Sequence, residues 1–170
     1  MKWKSLLSKS ISTVCGLGYM PFAQGTFGSI PGLFLGLAVN YFFHHVYQVE
    51  EINFIIISTL IGLTICAKAY IGILYTEKTW SHDDKRIVVD ELAGQYFASV
   101  YLPLTLFYGL MSFSLFRFFD IVKPWPISWI DEEWNHSFAT LADDLLAGFF
   151  AFLCLYAWKI SGLCLCCLQL

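Results

Sequence analysis

Charged side chains are scarce in this chain. Lys, Arg, Asp and Glu make up 14% of its 170 residues, hydrophobic residues make up 58%, and the mean hydropathy is +0.64. A soluble domain carries about 25% charged residues, so this composition predicts a membrane protein. The 10 Lys and Arg residues against 13 Asp and Glu give a net charge of −3. They form no basic cluster long enough to follow a nucleic-acid backbone, and a nucleic-acid partner is therefore not expected.

The carboxyl terminus lacks a CaaX prenylation motif. Six cysteines are present, mostly in apolar stretches, and we interpret them as small buried hydrophobic residues. They are Cys15, Cys66, Cys154, Cys164, Cys166 and Cys167. For the last three, acylation or binding of a soft metal is the alternative interpretation.

The amino terminus has the pattern of a surface helix. Lys2, Lys4 and Lys9 are interspersed with apolar residues at helical spacing. We expect residues 1–15 to form an interfacial amphipathic helix with its cations in the cytoplasmic headgroup layer. A signal peptide would need a longer apolar centre and a small-residue cleavage site, so no cleavage is expected.

Two apolar runs, 30–47 and 52–75, are each long enough to cross a bilayer as a helix. No Lys or Arg lies between them, whereas the amino terminus and residues 76–91 carry cations. This bias predicts that both of the latter segments are cytoplasmic. Lys68 is the one cation inside the second run, and it either snorkels towards the membrane surface or faces the acidic site described below.

A third apolar run, 92–116, is interrupted by Pro103. A straight crossing would put Asp90 and Arg117 on opposite sides of the membrane. A broken or re-entrant hairpin that turns near Pro103 would return both to the cytoplasmic side, where Arg117 is favoured, and we expect the hairpin.

A polar connection at 127–142 leads to the last apolar run, 145–168. The sequence thus predicts an all-α integral membrane bundle of three to four apolar helical segments. We expect one domain over 1–170, with a motif-bearing core at 16–150 and the end of the last helix and a tail at 151–170. The sequence leaves a homo-oligomer open.

Glycines are concentrated in the segment 16–29, directly before the apolar run at Ile30. Glycine lets backbone amides approach a ligand closely, and an anion is favoured at the start of a helix. Thr26 and Ser29 add hydroxyl groups there. The segment is therefore either a phosphate site or a turn in which Thr26 or Ser29 caps the helix.

Two pairs of adjacent acids are each followed by Ala-Gly. They are Asp90-Glu91-Leu92-Ala93-Gly94 and Asp143-Asp144-Leu145-Leu146-Ala147-Gly148. Small residues one turn after the acids would let two helices pack closely, with both acidic pairs facing one cavity. The alternative is that the acids only complement helix dipoles.

The segment 116–126 places Arg117, Asp120 and Lys123 at three-residue intervals and ends in Pro124 and Pro126. This spacing puts Arg117 and Asp120 on one helical face. Lys123 precedes a proline, so we expect it to leave the helix and close over an anion. A membrane-edge loop with snorkelling cations is the alternative.

Five carboxylates and two cations are thus predicted at one membrane face. They are Asp90, Glu91, Asp120, Asp143 and Asp144, with Arg117 and Lys123. Clustered carboxylates suit Mg²⁺, which takes oxygen ligands together with a substrate phosphate, while the cations would hold the remaining phosphate charge. Hydrolysis of a phosphate monoester on a lipid headgroup fits these parts. A cation-binding transporter or scaffold without enzymatic activity is the alternative.

Other phosphatase routes lack their motifs: no Cys-x5-Arg loop and no Asp-x-Asp-x-Thr segment is present. What is present resembles the successive motifs of the bacterial phosphatidylglycerophosphatase A family. These are Gly16-x-Gly18-x-x-Pro21 with Gly25-Thr26-x-Gly28-Ser29, then Val89-Asp90-Glu91-x-x-Gly94-Gln95, Phe116-Arg117-x-Phe119-Asp120-x-x-Lys123-Pro124-x-Pro126 and Asp143-Asp144-x-x-Ala147-Gly148.

The resemblance implies an all-helical, Mg²⁺-dependent inner-membrane enzyme that converts the phospholipid phosphatidylglycerophosphate to phosphatidylglycerol and inorganic phosphate. The charge bias would put its active site at the cytoplasmic face. Departures from the family pattern are Gln24, where members often have Pro, and Ala139-Thr140-Leu141 ahead of the second acidic pair.

Overall fold

A computed structural model describes residues 2–80, 84–134 and 136–161, and the regular secondary structure of these residues is helical. Seven α-helices and no strands occur in this part of the chain. The helices are α1 Lys2–Ser12, α2 Gln24–Tyr41, α3 Glu51–Thr76, α4 Val89–Ser99, α5 Leu106–Val122, α6 Ile127–Glu133 and α7 Ser137–Ile160. A 3₁₀ turn at Leu17–Tyr19 precedes α2, and a π-helical segment at Phe42–Val46 extends it.

Three helical stretches are long and apolar enough to cross a membrane: Gln24–Val46, Glu51–Thr76 and Ser137–Ile160. This confirms the predicted all-helical membrane bundle. Large apolar side chains such as Phe34, Leu60 and Phe149 are exposed on these helices. A surface of this kind suits lipid rather than water, because lipid tails are as apolar as the side chains that face them.

Helix α4 lies at the centre and packs against α2 and α7 through glycines. A Cβ added at Gly32 of α2 would overlap the backbone carbonyl of Leu92. A Cβ at Gly94 of α4 would overlap that of Asp144, and one at Gly148 of α7 would overlap that of Gly94. Backbone therefore meets backbone at both interfaces, and the predicted close packing after the two acidic pairs is confirmed.

Helices α4 and α5 form the expected hairpin. The chain leaves the helical conformation after Ser99 and resumes it at Leu106, so the break contains Pro103. Gln95 Nε2 lies 3.5 Å from Ser112 Oγ, which shows that the two helices run back alongside each other. Asp90, at the start of α4, and Arg117, near the end of α5, consequently lie at the same end of the bundle.

Asn40, at the end of α2, holds the hairpin turn. Its Nδ2 donates to the carbonyl oxygens of Val100 and Leu102, both at 2.8 Å. Asn40 is buried, so this amide satisfies two turn carbonyls that would otherwise be left without a partner.

Two predictions were wrong, namely the start of α2 and the plain connection at 127–142. Helix α2 begins at Gln24 rather than Ile30, and its first turns pack against the segment before α4, where Gly28 lies against Val88. The segment 127–142 is not a plain connection, since it contains α6 and the first turns of α7. Helix α7 begins at Ser137 because buried Ala139 and Leu141 contribute to the core. Its described helix ends at Ile160, within the segment expected to hold the end of the last helix, and residues 162–170 lie outside the described residues.

The interpretation of the cysteines as buried was also wrong where it can be checked. Cys15 and Cys154 are exposed and Cys66 is partly buried. Apolar residues on membrane helices can face lipid, so hydrophobicity alone does not predict burial within the protein. Cys164, Cys166 and Cys167 lie outside the described residues.

Lys68 does not face the acidic residues. It is exposed and lines an apolar groove on α3 together with Leu60 and Thr64. Of the two interpretations, only the one that directs this lysine outwards is compatible with the fold.

Candidate active site

Three carboxylates from two helices meet at one point. Asp90 and Glu91 lie in the first turn of α4, and Asp144 lies in the second turn of α7. Each offers a carboxylate oxygen, and the three oxygens lie within 4.8 Å of one another. The contact between Gly94 and Gly148 brings the two helices close enough for this arrangement.

The cluster is buried and short of compensating partners. Asp90 and Asp144 are each 5% exposed, and Glu91 Oε2 is buried without a hydrogen-bond partner among the described residues. Burial raises the pKa of Asp90 and raises that of Glu91 well above its ordinary range. The negative charges of Asp90 and Asp120 raise the pKa of Glu91 further, against the lowering effect of Arg117.

A divalent cation fits this donor set. Three oxygens at such spacing can bind one ion, and the unpartnered Glu91 oxygen is the kind of group that such an ion would satisfy. Without a cation, buried like charges repel and favour protonation. Asp90, Glu91 and Asp144 are therefore the residues that would hold Mg²⁺.

Arg117 joins this cluster to the amino-terminal end of α2. Its Nη1 lies 2.5 Å from Asp120 Oδ2 and donates to Ser29 Oγ at 3.4 Å. The first contact confirms that Arg117 and Asp120 share a helical face. Gly25 lies directly against this group, because a Cβ there would overlap Glu91 Oε1 and lie 2.9 Å from both terminal nitrogens of Arg117.

Lys123 lies beyond the end of α5, as expected for a residue before proline. It adopts the left-handed conformation (φ 45°, ψ 60°), and its Nζ lies 2.6 Å from Asp131 Oδ1 and 2.7 Å from Asp143 Oδ2. Burial alone would lower the pKa of Lys123, but its hydrogen bonds to Asp131 and Asp143 raise it above the ordinary value. Asp143 therefore faces Lys123, while Asp144 faces Asp90 and Glu91.

Thr26 and Ser29 do not cap α2. The cap position is Ala23, without a side-chain hydrogen bond, and the first bond of the helix runs from Phe27 N to Ala23 O at 3.1 Å. The amides of residues 24–26 have no acceptor within the helix, as at any helix start. Gly25, one of these residues, lies beside Arg117. The role of Thr26 and Ser29 in phosphate binding stays a prediction.

Two structurally important residues were missed by the sequence analysis. Asp131 was read as part of a polar connection, and Asn40 as part of an apolar run. Their significance depends on partners in other helices, which sequence spacing does not reveal.

The profile of a family described as Phosphatidylglycerophosphatase A matches residues 10–159. The chain belongs to the phosphatidylglycerophosphatase A family. A protein of Haemophilus influenzae named phosphatidylglycerophosphatase A is 34% identical over 149 residues, which cover 84% of this chain and 82% of the relative. One of Escherichia coli with the same name is 28% identical over 78% of this chain and 72% of the relative.

A third relative carries a different name. A Bacteroides thetaiotaomicron protein named "Putative phosphatidylinositol-3-phosphatase" is 29% identical over 157 residues, covering 90% of this chain and 94% of the relative. No solved structure matched the chain.

Membership in the phosphatidylglycerophosphatase A family identifies the chain as a phosphoric monoester hydrolase that acts on a phospholipid. With its three apolar helices, it is a membrane protein. The non-enzymatic alternative is therefore set aside. The structure brings all five predicted acids and both predicted cations to one end of the bundle, and the role of each residue stays a prediction.

Proposed function

We propose that this protein removes the terminal phosphate of phosphatidylglycerophosphate in a Mg²⁺-dependent hydrolysis that yields phosphatidylglycerol and inorganic phosphate. It would serve glycerophospholipid biosynthesis. The observation that carries the proposal is the cluster of Asp90, Glu91 and Asp144, whose ligand oxygens lie within 4.8 Å of one another. Family membership supports the headgroup assignment.

The acids would hold the ion. Asp90, Glu91 and Asp144 would hold Mg²⁺, and the ion would supply positive charge that polarises a phosphoryl oxygen. Water provides the hydroxyl that adds to phosphorus, and its proton balances the alkoxide released from the lipid. Asp120 and Asp143, held by Arg117 and Lys123, remain candidates for further ligands or bases.

The cations would bind the substrate phosphate. Arg117 is only 17% exposed in its side chain, so its charge is less screened by water than that of a surface arginine. Its guanidinium and the Lys123 ammonium would hold the phosphate oxygens. The amide donors at the start of α2, with Thr26 and Ser29, would complete the phosphate site.

We further propose that the enzyme lies in the bacterial inner membrane with this end of the bundle at the cytoplasmic face. The support is the distribution of cations: Lys9, Lys78, Lys85 and Arg86 lie in α1 or in the segment between α3 and α4. Helix α3 ends at Thr76, whose hydroxyl pairs with Ser12 of α1. Both cationic segments therefore lie at the same end, as the positive-inside rule favours.

One assay tests the proposal. Purified protein in detergent is incubated with phosphatidylglycerophosphate or phosphatidylinositol 3-phosphate, with Mg²⁺ or with a chelator, and inorganic phosphate is measured. We expect Mg²⁺-dependent release, faster from phosphatidylglycerophosphate. Folded protein that releases no phosphate from it in Mg²⁺ would reject the proposal, and a preference for the inositol lipid would overturn the headgroup assignment alone.

A further inference from the structure

Lys123 is bound between two carboxylates that come from different helices. Asp131 belongs to α6, Asp143 belongs to α7, and Lys123 itself caps α5. Both contacts are short, at 2.6 Å and 2.7 Å. Asp131 lies outside the sequence motifs that predicted the site, yet it contacts the same ammonium group as Asp143.

A lysine ammonium has three N–H donors. Two of those on Lys123 are used by Asp131 and Asp143, and the third has no partner among the residues described. Lysine has a long flexible side chain that loses conformational freedom when it is fixed. Two carboxylates at once restrict it to one orientation, which leaves one donor in a defined direction.

The side-chain exposures indicate where that donor is accessible. Asp143 is 7% exposed, Lys123 is 28% exposed and Asp131 is 40% exposed. Asp143 is thus the inner partner, next to Asp144 of the carboxylate cluster, and Asp131 is the outer one. A phosphate that enters the site would meet Lys123 already oriented by both.

We propose that Asp131 is a positioning residue, which together with Asp143 fixes Lys123 so that its remaining N–H donates to the substrate phosphate. This inference rests on the proposed function, in which Lys123 binds phosphate. Asp131 would act only through Lys123 and would not touch the substrate.

The expected loss is moderate, because the Asp131 contact is partly exposed to solvent. Asp131→Ala should lower kcat/KM for phosphatidylglycerophosphate by about tenfold, a typical effect of losing one charge-assisted hydrogen bond. Asp131→Asn should lose less, since its amide oxygen still accepts from Lys123. Glu132→Ala is the matched control. It removes one negative charge from the neighbouring exposed position of α6 and should leave kcat/KM unchanged.

A double-mutant cycle separates positioning from a general structural role. We would measure kcat/KM and, by calorimetry, the Kd for inorganic phosphate in the wild type, Asp131→Ala, Lys123→Ala and the double variant. If Asp131 acts through Lys123, Asp131→Ala should lower kcat/KM and weaken phosphate binding only in protein that retains Lys123.

An equal loss in the presence and absence of Lys123, or no loss in either quantity, would overturn the inference. The phosphate Kd keeps the test independent of turnover. If the wild type bound phosphate but did not hydrolyse phosphatidylglycerophosphate, the proposed function would fail while the cycle would still decide the role of Asp131.

Discussion

Gly25 is the residue at which the backbone of α2 comes into contact with side chains of the proposed active site. It lies against Glu91 and Arg117, and both are long side chains whose ends can move. A methyl group there would displace charged groups without pushing helices apart. A substitution at Gly25 should therefore affect activity without affecting folding.

We predict that Gly25→Ala lowers kcat/KM by about 100-fold, because displacing catalytic groups by about 1 Å costs that much. Its melting temperature in detergent should stay near that of the wild type. Gly109→Ala is the control, since a Cβ there would meet only Leu37 Cδ1 at 3.8 Å, an ordinary contact. Full activity of Gly25→Ala would contradict the position assigned to Glu91 and Arg117.

The positions of single side chains could be predicted from the sequence where local spacing along a helix determines them. The pairing of Arg117 with Asp120 follows from one helical turn, and the departure of Lys123 from the helix follows from Pro124. The contact of Lys123 with Asp131 could not be derived in this way. It depends on how α6 folds back, and nothing in the segment 127–142 specified a helix strongly enough to predict that.

Among the helices, the spacing between α4 and α7 determines whether the acids can share an ion. Gly94 and Gly148 set that spacing by direct backbone contact. The repeated pattern of two acids followed by Ala-Gly was enough to predict it, because small residues at helix interfaces have a simple geometric consequence. The starts of α2 and α7 were not predictable, since tertiary contacts of Gly28 and Leu141 extend both helices beyond their apolar runs.

Gly148→Ala should destabilise the protein by about 1–3 kcal/mol, the usual cost of overpacking, because its Cβ would meet the backbone of Gly94 rather than a movable side chain. Thermal unfolding in detergent measures this, with Gly109→Ala again as the reference. A melting temperature equal to that of the reference would show that α4 and α7 are not in backbone contact.

Asn40 ties the end of α2 to the turn between α4 and α5. Asn40→Ala removes both hydrogen bonds to the hairpin turn and leaves two carbonyls unsatisfied, at about 1–3 kcal/mol for each buried group. Thr64→Ala is the comparison, because its exposed hydroxyl bonds only to Leu60 of its own helix. If both variants unfolded at the same temperature, Asn40 would not hold the turn.

On the scale of the whole molecule, a largely apolar bundle keeps acids from three helices, α4, α5 and α7, at one end. Composition predicted the membrane class, and the order of motifs predicted the family. Which acids face each other could not be predicted, because Asp143 and Asp144 are adjacent in sequence yet one faces Lys123 and the other faces Asp90 and Glu91.

Calorimetric titration of the purified protein with Mg²⁺ tests the shared ion site most directly. The wild type and the control Glu132→Ala should bind Mg²⁺ equally, whereas Asp90→Asn and Asp144→Asn should each weaken binding by about tenfold or more, because each removes one charged ligand of the same ion. Unchanged Mg²⁺ affinity in both Asn variants would contradict a shared Mg²⁺ site at Asp90, Glu91 and Asp144.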